Sequence, residues 1–136
     1  MDKVRILIID DDRLMLTLLV GVLRREGFSD VVKAGSGKEG VAKFLQTRPD
    51  IVFLDIEMPE YCGIQTLKAI KEFGIVTQVV MVTASPTKHN VTAAQQAGAA
   101  GFLVKPVSPA KVANAVNRCI ERARQEEGDI ELFICS

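Results

Sequence analysis

Three consecutive acids, Asp10-Asp11-Asp12, follow the apolar run VRILII at 4–9, and Asp55 follows a second apolar run at 51–54. A third such run closes on Thr83, and a fourth closes on Lys105, which Pro106 follows. In open α/β sheets, sites form beyond the carboxyl ends of the strands, where strand order reverses. If these runs are neighbouring parallel strands, several carboxylates converge in one cleft. Like charges packed together cost free energy unless something compensates. A hard divalent cation does so, and Mg²⁺ suits a few carboxylates with retained waters. A hydroxyl and an ammonium beside such a cluster would neutralise and orient an anion such as a phosphoryl group. Each residue also has an ordinary reading. Asp12 can cap the helix that follows, and Asp55 can prepare the break at Pro59. Thr83 can be a plain β-branched strand residue, and Lys105 a solvent-facing loop lysine. Acid, acid, hydroxyl and lysine at four strand ends are better explained together than as four accidents.

The elements that must position these groups are legible as alternating patterns. Strands are predicted at 4–9, 31–32, 51–54, 76–82 and 101–104, nearly all apolar and therefore suited to burial on both faces. Helices are predicted over 14–26, 37–45, 63–73, 87–97 and from 109 into the 120s. In the first, Leu14, Leu18 and Val22 with Leu19 and Leu23 form an apolar stripe, and Gly27 ends it. In the second, Val41, Phe44 and Leu45 face inward; in the third, Leu67 and Ile70 do. Val112, Val116 and Ile120 recur every four residues in the last, and Pro109 fits its first turn. Parallel β–α units are the economical reading, which gives a three-layer, doubly wound α/β domain.

Composition bounds the function classes. The 136 residues suffice for one domain, with 48% hydrophobic and 25% charged residues, which are globular proportions. Lys plus Arg and Asp plus Glu each number 17, so no net charge draws the chain to nucleic acid or anionic membrane. There is no Trp and one Tyr, a poor supply for base stacking. Cys62, Cys119 and Cys135 form no CxxC, and their odd number leaves a free thiol in a monomer, which suits a reducing compartment. No secretory segment or membrane-length apolar run is visible, so a cytoplasmic location is expected.

With those residues in place, the sequence resembles the receiver domain of two-component response regulators, the chemotaxis-regulator-like, flavodoxin-like (βα)5 fold. ILIIDDD at 6–12 resembles the family's first strand and acidic pair, which fall on Asp10 and Asp11. LDIEMP at 54–59, with Gly63 four residues on, resembles the phosphoacceptor segment, which falls on Asp55. MVTA at 81–84 places the switch hydroxyl on Thr83. GAAGFLVKP at 98–106 places the switch aromatic on Phe102, the lysine on Lys105 and a typically cis peptide before Pro106. The resemblance spans about residues 3–124 and implies a five-stranded parallel sheet of order 2-1-3-4-5. It implies that Asp55 takes a phosphoryl group from a sensor histidine kinase or phosphotransfer protein. Mg²⁺ would be held by Asp10, Asp11, Asp55 and the backbone carbonyl of Glu57, with Lys105 offsetting charge. Thr83 would be drawn toward the phosphate, and Phe102 would move inward behind it. A surface of the fourth helix, fifth strand and fifth helix would then control a downstream partner. Such a protein is no ordinary enzyme, although it catalyses its own aspartyl phosphorylation and dephosphorylation. By the same analogy, Glu57 and Ser85 lie where side chains affect access of the hydrolytic water.

The departures concern output. Phe102 stands where Tyr is also common and cannot donate a hydrogen bond. The fifth helix lacks the acid that often starts it in receivers joined to winged-helix domains, so the salt-bridged dimer of that subfamily is not expected. A monomer or weak homodimer without direct nucleic-acid or membrane contact is expected. Cys62 reads as a partly buried small residue and His89 as a surface one. Domain organisation is read as a receiver over 1–124 and a tail over 125–136 whose apolar Leu132-Phe133-Ile134 is unusual for a frayed end. That tail is open to three readings: folded back on its own core, docked on another subunit, or the stub of a longer chain. The alternative function is a docking module that keeps the fold without using phosphorylation.

Overall fold

Strand formation follows the apolar runs. The computed structural model describes residues 3–125 and, for the backbone alone, residues 133–135. Strands β1 (Ile6–Ile9), β2 (Val31–Ala34), β3 (Ile51–Asp55), β4 (Gln78–Thr83) and β5 (Gly101–Val104) alternate with helices. These are α1 (Arg13–Arg25), α2 (Gly37–Thr47), α3 (Gly63–Glu72), α4 (Lys88–Gln96) and α5 (Pro109–Gln125). The five strands are parallel in the order 2-1-3-4-5, as the resemblance implied. A short sixth strand, β6 (Phe133–Cys135), lies parallel to β5 beyond it. It is the described part of the expected tail; residues 126–132 and 136 lie outside the described residues.

The sheet separates two apolar clusters. Ile6, Ile8, Phe53, Val80, Val82 and Leu103 pack against α1 and α5 on one face. Leu7, Ile9, Leu54, Met81 and Phe102 pack against α2, α3 and α4 on the other. Alternation along each strand explains this division, and burial on both faces explains why the runs carry almost no polar residue.

The helices are capped as their sequences suggest. The Asp12 carboxylate accepts from the Leu14 and Met15 amides and Ser36 Oγ from the Glu39 amide, while Thr87 Oγ1 accepts from that of Asn90. Gly27 follows α1 with φ of +96°, a conformation that glycine takes without steric cost. Three expectations of facing need correction. Leu14 and Leu18 are 81% and 49% exposed, because α1 turns Leu16, Leu19, Val22 and Leu23 to the core. Leu45 faces out, and the inner side of α2 is Gly37, Gly40 and Phe44. Val76 is 93% exposed and precedes β4, which starts at Gln78 after Thr77 anchors its hydroxyl to the Pro49 carbonyl at 3.0 Å.

Candidate functional site

Sheet register brings the four strand ends together. Ile9 pairs with Leu54, so Asp10 and Asp55 emerge side by side one residue later. Asp55 pairs with Val82, and Thr83 with Val104, which sets Thr83 and then Lys105 beside them. The Lys105 amide donates to the Thr83 carbonyl at 2.8 Å, extending the ladder past the end of β5. The peptide between Lys105 and Pro106 is cis, as the resemblance implied.

Asp10 is buried and tightly held. Its Oδ1 accepts from the Asp12 amide at 2.9 Å, and its Oδ2 from Lys105 Nζ at 3.3 Å. The middle acid, Asp11, is exposed. Asp12 serves as the α1 cap, which is its ordinary reading. Asp55 is only 3% exposed, and Lys105 Nζ lies 3.4 Å from its Oδ1. That contact is an ion pair outside hydrogen-bonding geometry, so the buried Oδ1 has no hydrogen-bond partner. Burial, and then the neighbouring Asp10 charge, push the Asp55 carboxyl up to about 7; Lys105 offsets them in part. Burial alone would lower Lys105, but Asp10 and Asp55 outweigh it and hold the ammonium above its ordinary range.

The loop from β3 to α3 is pressed against Asp55. The Gly63 amide donates to the Ile56 carbonyl at 2.8 Å. A Cβ at Gly63 would overlap the Asp55 carbonyl oxygen and approach Ile56 Cα to 2.7 Å, so only glycine fits there. Pro59 lies on the exposed part of this loop, and Met58 is turned inside. Cys62 is the N-cap of α3, half-buried, and its amide donates to Gln65 Oε1.

Carboxylate oxygens of Asp10, Asp11 and Asp55 lie within 4.8 Å of one another. Two buried acids and one exposed acid make a hard, all-oxygen donor set with one side open to solvent. An Asp55 oxygen that accepts no hydrogen bond and meets only the Lys105 ammonium is what a ligating carboxylate needs. This set fits Mg²⁺, which keeps part of its water shell.

The match to known proteins decides the family: the response regulator receiver domain matches residues 6–117. The chain belongs to the response regulator receiver family. This receiver is 38% identical over 116 residues to chemotaxis protein CheY of Bacillus subtilis, covering 85% of this chain and 97% of the relative. It is 35% identical over 114 residues to CheY of Thermotoga maritima, covering 84% and 95%. Among solved structures, a CheY-like receiver domain from Methanospirillum hungatei superposes with a TM-score of 0.87 at 27% identity, covering 93% of this chain and all of that one. The CheX–CheY–BeF3–Mg²⁺ complex of Borrelia burgdorferi contains a chain that superposes with a TM-score of 0.82 at 34% identity, covering 86% and 89%.

Within the receiver, two placements add to the sequence reading. Phe102 is already wholly buried, packed in the cluster that holds Met81, Ala94 and Ala99. Lacking a hydroxyl to satisfy at the surface, its ring has no reason to start outside. The second is Glu57. Its side chain accepts the Thr83 hydroxyl at 2.5 Å, a contact that the sequence reading did not anticipate. No signal in the sequence marks it, because 26 positions separate the two residues and a loop of irregular backbone carries one of them. His89 is exposed and takes no part in the site. Among the described residues, no helix is long and apolar enough to cross a membrane.

Proposed function

We propose that this receiver accepts a phosphoryl group on Asp55. The observation that carries the reading is the buried Asp55 oxygen that accepts no hydrogen bond, within reach of two further carboxylates and 3.4 Å from the Lys105 ammonium. In the proposed step a carboxylate oxygen of Asp55 attacks phosphorus in line. The phosphorus–nitrogen bond of a phosphohistidine breaks, and the imidazole leaves with that electron pair. Asp10, Asp11, Asp55 and the Glu57 backbone carbonyl are the residues that would hold Mg²⁺, which when bound supplies charge neutralisation at the phosphoryl oxygens. Lys105 contributes a fixed positive charge there and keeps Asp10 oriented through its 3.3 Å hydrogen bond.

Thr83 is the proposed switch hydroxyl, one residue beyond the position that pairs with Asp55. Phe102 shares its sheet face, two residues before Thr83's partner Val104. Because that ring starts inside, its response is a repacking within the core rather than an entry from solvent. The face built by α4, β5 and α5 then biases a downstream partner. The phosphoryl source is a histidine kinase or phosphotransfer protein, the setting is cytoplasmic, and the acting species is a monomer or weak homodimer. Pro59, Gly63 and Pro106 shape the loops around the site, and the segment over 125–136 is an appendage to the receiver over 1–124.

Intact mass after incubation with a small phosphoryl donor tests this. A gain of about 80 Da that needs Mg²⁺ and is lost in Asp55→Ala supports the reading. No gain in folded, Mg²⁺-replete protein, either from the small donor or from phosphohistidine proteins, would leave the phosphorylation-independent docking module as the better account.

A further inference from the structure

Thr83 already spends its only proton. Its hydroxyl donates to Glu57 Oε2 at 2.5 Å, and its oxygen accepts the Ser85 amide at 2.9 Å. Thr83 is wholly buried, so no water substitutes for either partner at low cost. A hydroxyl carries one hydrogen and cannot donate to two acceptors in full at once. Any phosphoryl oxygen on Asp55 that recruits Thr83 must therefore take it from Glu57. We infer that Glu57 is a positioning residue that latches the Thr83 hydroxyl in the resting receiver, and that phosphorylation acts by breaking this latch. The inference rests on the receiver reading above and assigns the Glu57 side chain a role separate from its backbone carbonyl.

Charge makes the latch responsive to the phosphoryl group. The phosphoryl group brings about −1.5 to −2 while the Asp55 carboxylate gives up its own charge in the acyl phosphate, so the site gains about one negative charge, and the Glu57 carboxylate already repels charge on Asp55. The new group thus competes for the Thr83 proton and repels the competitor. Glu57 is exposed, so its carboxylate can return to water once released. The Thr83 oxygen also anchors Ser85, whose carbonyl accepts from Asn90 Nδ2 at 2.8 Å in the first turn of α4. Movement of Thr83 consequently pulls on the start of the helix that forms part of the proposed output face.

The test uses beryllofluoride with Mg²⁺ as the phosphoryl probe, titrated into the full chain and followed by NMR. In the free protein, the Thr83 hydroxyl proton should be protected from exchange and lose that protection in Glu57→Ala. Glu57→Ala should tighten probe binding by roughly three- to ten-fold, whereas in a Thr83→Ala background the same change should give at most about two-fold, the part due to charge alone. Glu57→Gln, which keeps an acceptor but loses the charge, should match that smaller effect. Equal tightening in both backgrounds overturns the latch, as does an unprotected Thr83 hydroxyl in the wild type. A protected hydroxyl in a chain that never saturates with the probe would instead bring down phosphoryl acceptance on Asp55, and with it any switching role for the bond.

Discussion

Replacing Asp55 with asparagine is expected to stabilise the fold, by an amount that grows with pH. Burial, and then Asp10, raise the Asp55 carboxyl from 3.8 to about 7. The folded chain therefore keeps a proton that the unfolded chain has already released. For such a group, stability is unaffected well below the lower value. It falls as pH rises through the window and levels off above about 7. One pKa unit corresponds to about 1.4 kcal/mol, so the whole window costs roughly 4 kcal/mol, of which about 3 kcal/mol accrues between pH 5 and pH 8. Asparagine has nearly the same shape and carries none of this cost. Urea unfolding followed by circular dichroism, with a chelator present, measures it. The stability gap between variant and wild type should widen by a few kcal/mol from about pH 5 to pH 8. Excess Mg²⁺ should close part of the gap at the alkaline end by binding only the folded wild type tightly. A gap that stays constant with pH, or a variant less stable than wild type at about pH 8, would refute the electrostatic argument.

Three further outcomes follow from the same geometry. Lys105→Gln leaves two buried carboxylates without their counter-charge; without divalent ions it should cost about 2 kcal/mol at neutral pH, recovered in part by Mg²⁺ in the same unfolding assay. Gly63→Ala should cost at least about 2 kcal/mol and weaken Mg²⁺ binding by calorimetry, because the loop must move off Asp55 and Ile56. Asp12→Ala should cost about 1 kcal/mol through loss of the α1 cap, with Mg²⁺ affinity in calorimetry little changed. A large loss of Mg²⁺ affinity in Asp12→Ala would instead add that residue to the metal ligands.

The strand ends were legible because a strand buried on both faces carries almost no polar residue before its carboxyl end. Asp10, Asp55, Thr83 and Lys105 therefore stood out as the first polar residues after apolar runs. The facing of α1 was not legible. Leucine at 14, 16, 18, 19 and 23 permits more than one stripe, and only packing against the sheet chooses between them. Val76 misled for a related reason: Ile75-Val76 and the apolar run at 79–82 flank only Thr77-Gln78, so the stretch reads as one strand. The Glu57–Thr83 bond was invisible because it depends on how the loop after Asp55 folds back, which no periodicity encodes. The apolar tail is visible in the sequence, but its pairing with β5 is not, since three residues are too few to carry a pattern.

That pairing has a consequence for self-association. A sheet's outermost strand offers unpaired amide and carbonyl groups, on which foreign strands can template. Here β5 would be that strand, but its outer edge is paired over Gly101, Phe102 and Leu103 by the chain's own β6. The border of the sheet on this side is thus moved to a three-residue strand, too short to seed a long ladder. An intruding strand gains access to β5 only by displacing β6 first. Edge-to-edge pairing at β5 is thus blocked by the chain's own β6.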